Sequence, residues 1–150
     1  MDFLHELRLQ LNAVRECLEG DLAAPIEHCP GWTLYDLARH MGNGNLWVAT
    51  AVREKRDDHP AQAPPRDRVV EWYQGTSDAM LEALSGDPDA AAWTIFPPHT
   101  VGFWRRRRTH ETVIHRWDAE HALGRVSPLS AALAHDGIAE VFDTMAPRQV

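Results

Sequence analysis

Thr33-Leu34-Tyr35-Asp36-Leu37-Ala38-Arg39-His40-Met41 reads as the start of a long helix. Thr33 is an N-cap residue, Asp36 stands at N3 to complete a capping pair, and Leu37 and Met41 lie one turn apart on one face. The inward stripe continues through Val48 and Val52, and the helix is expected to end near Arg56. Gly44, one turn after His40, leaves room for another group to approach closely. On the N-terminal side, Leu4, Leu7, Leu11, Val14 and Leu18 recur at spacings of three and four, which predicts a first helix over Phe3 to Leu18 stopped by Gly20. Asp21 to Trp32 holds Pro25 and Pro30 and reads as an irregular connection. Asp57 to Arg66, with Pro60, Pro64 and Pro65, reads as a surface crossover. Val69, Tyr73, Met80 and Leu84 mark a third helix ended by Gly86 and Pro88. Ala90 to Thr100 is broken by Pro97-Pro98, so Trp93, Ile95 and Phe96 are expected to lie as an extended loop over the core, with a short strand as the alternative. A fourth helix is predicted from about Val101 to Leu123, before Gly124. A fifth runs over Ala131 to Met145, with Leu133, Ile138, Val141, Phe142 and Met145 as its apolar positions, and the chain stops at Pro147-Arg148-Gln149-Val150. These elements predict an all-α antiparallel bundle.

The 150 residues suit one domain, and 44% hydrophobic with 25% charged residues provide for a real core. Fifteen basic against 22 acidic residues give a net charge of −7, the wrong sign for coating nucleic acid. No apolar run approaches the ~20 residues of a membrane span, and the N-terminus lacks a signal-peptide layout, so a cytoplasmic protein is expected. Cys17 and Cys29 are too few for a disulfide framework and are expected to be reduced.

Nine histidines in this length call for individual inspection. Glu111 and His115, four apart on the fourth helix, share a face with Cβ atoms about 6 Å apart, a spacing that can grip one metal ion and also serves an ordinary surface hydrogen bond. His40 is the natural third ligand; its bland alternative is a core-edge histidine bonded to a carbonyl. His110 points about 100° away from Glu111 and is a neighbour rather than a ligand. Asp118, one turn beyond His115, either orients that imidazole or caps surface charge. His5, His28, His59, His99, His121 and His135 have no partner at ligand spacing and read as exposed or loop residues. Arg105 to Arg108 surround a helical turn, which excludes a one-faced nucleic-acid footprint. Arg107 or Arg108 is placed to hold a substrate carboxylate. Cys29, in a loop without a histidine at a motif spacing, reads as a packed, reduced thiol, with nucleophilic catalysis as the alternative. Nucleotide-binding glycine loops and the Gly-x-Ser-x-Gly hydrolase motif are absent.

Together, Cys29-Pro30-Gly31-Trp32-Thr33, Asp36-Leu37-Ala38-Arg39-His40-Met41-Gly42 and His110-Glu111-Thr112-Val113-Ile114-His115-Arg116-Trp117-Asp118-Ala119-Glu120 resemble the mycothiol-dependent maleylpyruvate isomerase N-terminal domain, within the DinB/YfiT-like superfamily. The resemblance covers nearly the whole chain. It implies a DinB/YfiT-like four-helix bundle, here with an additional C-terminal helix, and a divalent metal held by His40, Glu111 and His115. Zinc is the usual ion, with iron(II) and nickel(II) compatible with the same donors. It further implies mycothiol or another low-molecular-weight thiol as cofactor, activated as a thiolate. The small electrophilic substrate would undergo cis-trans isomerisation, as of maleylpyruvate, or thiol transfer. In two-domain members of the family a C-terminal domain helps close the site; residues 1–150 are expected to be a single metal-binding domain without it, either a fragment of a longer protein or a single-domain relative. Asn43 and Asn45 replace bulkier or histidine residues, so the pocket is expected to take a different substrate. A non-catalytic metal-binding or interaction domain is the rival reading. Exposed apolar surface at Trp93 to Phe96, or where a C-terminal partner is missing, would favour a homodimer.

Overall fold

The computed structural model describes residues 1–148; Gln149 and Val150, read above as the chain's end, lie outside the described residues. Five α-helices form the architecture: α1 (Phe3–Cys17), α2 (Leu34–Arg53), α3 (Val69–Leu84), α4 (Val101–Ala122) and α5 (Ala131–Glu140). Among the described residues there is no strand, only isolated bridges pairing Pro25 with Thr33 and Ala91 with Thr100. Among the described residues no helix is long and apolar enough to cross a membrane.

Local chemistry sets the helix ends. The Thr33 backbone N–H donates to Asp36 Oδ2 at 2.9 Å while Asp36 N–H donates to Thr33 Oγ1 at 3.4 Å, the reciprocal pairing anticipated from sequence. Helix α2 ends at Arg53 rather than near Arg56, because Lys55 takes a left-handed φ of 55° that no helix can continue through.

Helices α1 to α4 form the bundle, with α1 packed mainly on α4 and α2 on α3, and the α1–α3 and α2–α4 contacts closing it. Leu7, Leu11 and Val14 of α1 meet Leu37, Met41 and Val48 of α2, Tyr73, Met80 and Leu84 of α3, and Trp104 of α4 in one buried cluster. Helix α3 packs tightly on α2 at Gly42, where a Cβ would lie 2.2 Å from Trp72 Cζ3. Trp72 is tethered there by its Nε1–H to Gln62 Oε1 at 2.8 Å. Gly42→Ala is therefore expected to destabilise the domain by about 1–3 kcal/mol through overpacking. An unchanged urea midpoint would show that the indole swings aside without cost.

Two sequence expectations need correction. Of the apolar positions assigned to the fifth helix only Leu133 is buried; Ile138 and Phe142 are 63% and 68% exposed. The helical period is right but the inward stripe is Leu133, Gly137, Glu140 and Thr144, running through a π turn over Val141–Met145. Ion pairs reverse the face: Asp136 meets Arg106 at 2.9 Å and His110 at 2.7 Å, and Glu140 meets Arg107 at 2.5 Å. In the Ala90 to Thr100 loop, Trp93 and Phe96 do pack on the core, but Ile95 is exposed. Trp93 is fixed by its N–H to Ala51 O and by Trp104 Nε1–H donating to its carbonyl. Besides Ile95, exposed apolar side chains lie on α4 and the C-terminal segment, among them Ile114, Ile138 and Phe142.

Candidate metal centre

Helix α2 carries His40 and helix α4 carries Glu111 and His115 to one end of their shared interface. Glu111 Oε1 faces His115 Nε2 at 3.2 Å and His40 Nε2 at 3.5 Å. The two imidazoles lie edge to face, 5.0 Å apart, and one ligand atom from each of the three residues falls within 4.8 Å of the others. Trp32 packs on His40 with ring centres 5.1 Å apart. The turn that delivers Trp32 is closed by Cys29 N–H to Ile26 O and Trp32 N–H to Cys29 O, with Gly31 at a φ of 85°.

On the far side of the His115 ring, Nδ1 lies 3.0 Å from Oδ2 of the buried Asp118. A carboxylate only accepts, so Asp118 assigns the neutral ring's proton to Nδ1 and leaves a lone pair on Nε2. That lone pair then points at a carboxylate oxygen, an arrangement that repels unless a cation or a proton lies between them. The donor set, two imidazole nitrogens and one carboxylate oxygen converging on a point with a carboxylate behind one ring, fits a divalent transition ion. A proton on the facing Nε2 atoms removes that repulsion: hydrogen bonds from His115 and His40, and after them the charge of Arg108, then hold the Glu111 carboxyl well below the usual carboxylate range against the opposing effect of burial.

Both candidate arginines are engaged by the protein. Arg107 sits between Glu111 Oε2 at 3.7 Å and Glu140 Oε1 at 2.5 Å. The Glu140 contact is a charge contact without hydrogen-bond alignment, and burial pushes the Glu140 carboxyl up while Arg107 opposes it. The buried Arg108 donates from Nη2 to Asn45 Oδ1 at 2.8 Å and to Met41 O at 3.4 Å, and its Nε has no partner. Gly44 makes the room that the sequence suggested, since a Cβ there would lie 2.9 Å from Arg108 Nη1. Asn45 is fully buried as a polar bridge from Arg108 to Thr76 and Ser77. Asn43 instead ties the crossover to α2, through Gln62 O and N.

Sequence reasoning missed several participants. Cys29 reads as a packed thiol, and it is reduced and partly buried; its sulfur also falls within 4.8 Å of ligand atoms of His115 and Asp118. Burial and then the Asp118 and Glu111 charges push that thiol up, away from thiolate character. Its place in the turn entering the cap of α2 was the available signal. Arg39, one residue before His40, lines a groove of about 590 Å3 with Trp32, His40, Asn43, Trp47 and His59. His28 and His121, expected to lack partners, both approach Glu27. His110 is the neighbour expected, turned away onto Asp136.

Among models of known families, the mycothiol maleylpyruvate isomerase N-terminal domain matches residues 4–120. Comparison with curated proteins and with solved structures finds no match. The matched stretch spans α1 to α4 nearly to its end and includes the whole candidate centre. The chain belongs to the mycothiol maleylpyruvate isomerase N-terminal domain family, which ties it to mycothiol-related function.

Proposed function

We propose that His40, Glu111 and His115 hold one divalent metal ion, zinc before iron(II) or nickel(II), and that the domain uses it with a mycothiol-type thiol on a small electrophilic substrate. The reaction is cis-trans isomerisation of a maleylpyruvate-like compound or thiol transfer. The observation that carries this reading is the convergence of both Nε2 atoms on Glu111 Oε1, with Asp118 fixing the proton on the opposite nitrogen of His115. Three protein donors leave a coordination position open, and a metal ion bound there supplies Lewis acidity that favours the thiolate form of a thiol.

The chain's own residues do the rest. Asp118 keeps His115 in one tautomer and orientation, and Arg107 draws on Glu111 Oε2 so that Oε1 stays turned toward the imidazoles. The groove opens beside His40, where the indoles of Trp32 and Trp47 offer apolar walls and Asn43 a polar one. His59 adds a buried Nε2 without a partner. Arg39 is exposed on this groove, so it, rather than the engaged Arg107 and Arg108, is the guanidinium available to a substrate carboxylate.

Calorimetry on zinc-loaded and metal-free protein tests this reading with cysteinyl thiols as probes. Thiol binding to the loaded protein alone is expected. Arg39→Ala is expected to leave metal content and thiol binding intact while weakening a dicarboxylate ligand about tenfold, the loss of one charge-assisted contact. Zinc uptake without any thiol binding would favour the second reading, a non-catalytic metal-binding domain. The observation behind that reading is that Cys29, His115 and Asp118 form a second donor group with ligand atoms within 4.8 Å of one another, so that His115 is shared with a protein thiol.

A further inference from the structure

The turn before α2 and the last turns of α4 bring a second donor group together at the surface. Glu27 Oε2 accepts a hydrogen bond from His121 Nε2 and lies 3.9 Å from His28 Nε2. Ligand atoms of all three residues fall within 4.8 Å of one another. As at the inner centre, two imidazole nitrogens aim at one carboxylate oxygen, although neither helix packing nor core burial requires it here.

The rings are also held in place. Trp117 stacks on His121 with centroids 4.7 Å apart and planes 10° from parallel, and it lies 5.3 Å from His28, which itself stacks on His121 at 5.9 Å. An exposed Glu–His contact alone would leave both imidazoles free to rotate. The indole beside them fixes their planes before any ligand arrives, and pre-ordering of this kind lowers the entropy lost on binding. Cys29 and Asp118, next in sequence to His28 and Trp117, bring ligand atoms within 4.8 Å of His115.

We propose that Glu27, His28 and His121 form a second, outer site for a borderline divalent transition ion such as zinc, nickel or copper(II), separate from the inner triad. Imidazole nitrogens with one carboxylate suit these ions over magnesium or calcium, which take oxygen donors. The outer site is solvent-open, so it binds more weakly than the inner one, and copper(II) binds there more tightly than zinc by the usual order of stability.

Equilibrium dialysis of the full chain against zinc, with each variant's fold checked by circular dichroism, tests this directly. Wild type is expected to bind two ions in two affinity steps. His28→Ala, His121→Ala and the milder loop variant Glu27→Gln should each lose the weaker step and keep the stronger, while His40→Ala should do the reverse. Copper(II) should quench tryptophan fluorescence more in wild type than in Trp117→Phe. Saturation of wild type at one ion that is lost in His40→Ala would overturn the outer site and leave the inner one standing. A single ion lost in His121→Ala but retained in His40→Ala would support the outer site and remove the inner one. Two steps that survive in His28→Ala, His121→Ala and Glu27→Gln would overturn the outer site.

Discussion

His115→Ala is expected to weaken zinc binding at the inner centre by more than about 100-fold, the larger side of what disturbing even a supporting residue of a metal site costs. His115 is the member with a defined partner on each nitrogen, Glu111 on Nε2 and Asp118 on Nδ1, so its removal takes away a ligand and strands the residue that orients it. Asp118→Asn keeps the ligand and loses the fixed tautomer, and a smaller loss of about 10–100-fold follows. Competition with a chelator of known affinity reads both values. The helical circular dichroism should be unchanged, because the core cluster contains neither residue. Affinity in His115→Ala within about threefold of wild type, on the scale where a tenfold change is 1.4 kcal/mol, would remove the triad from the account.

The second large effect is on stability. Asn45→Ala should cost about 3 kcal/mol, because it leaves the buried Arg108 guanidinium without its shortest hydrogen bond, and Nε already lacks a partner. Arg108→Met removes the buried charge together with its need for a partner and should cost less, about 1.5 kcal/mol or below. The order is the opposite of what deleting a charge would suggest, and the double variant should be more stable than Asn45→Ala alone. Urea unfolding with matched slopes decides it. A greater loss for Arg108→Met than for Asn45→Ala would mean that this arginine stabilises the bundle outright, for instance through the field it places on Glu111.

The bundle was legible because α1 to α3 carry apolar residues at helical spacing, interrupted by Asn45 in α2 and by Thr76 and Ser77 in α3, and because Thr33 and Asp36 cap α2; α4 was read from its bounds, since its inward face includes Arg108 and Thr112. The fifth was read on the wrong face. Its inward positions are Leu133, Gly137, Glu140 and Thr144, and a hydrophobic pattern has no way to announce that Glu140 is buried against Arg107. The meeting of His40, Glu111 and His115 followed the helical phase of the last two and the family resemblance. The fate of the arginines did not: Arg105 to Arg108 point in all directions around one turn, and which is engaged depends on Asn45, Gly44 and Glu140, far away in sequence. Cys29, His28 and Glu27 escaped for a related reason, since a turn rich in proline and glycine carries no period from which to infer what faces what.

X-ray absorption at the zinc edge of the zinc-loaded protein, before and after adding a low-molecular-weight thiol, tests the central claim most directly; His121→Ala is used so that only the inner site is filled. The account predicts a shell of nitrogen and oxygen donors without sulfur at first, and one sulfur donor once thiol is added. Sulfur already present without thiol and lost in Cys29→Ser, or a shell that thiol leaves unchanged, would contradict an open, thiol-accepting centre.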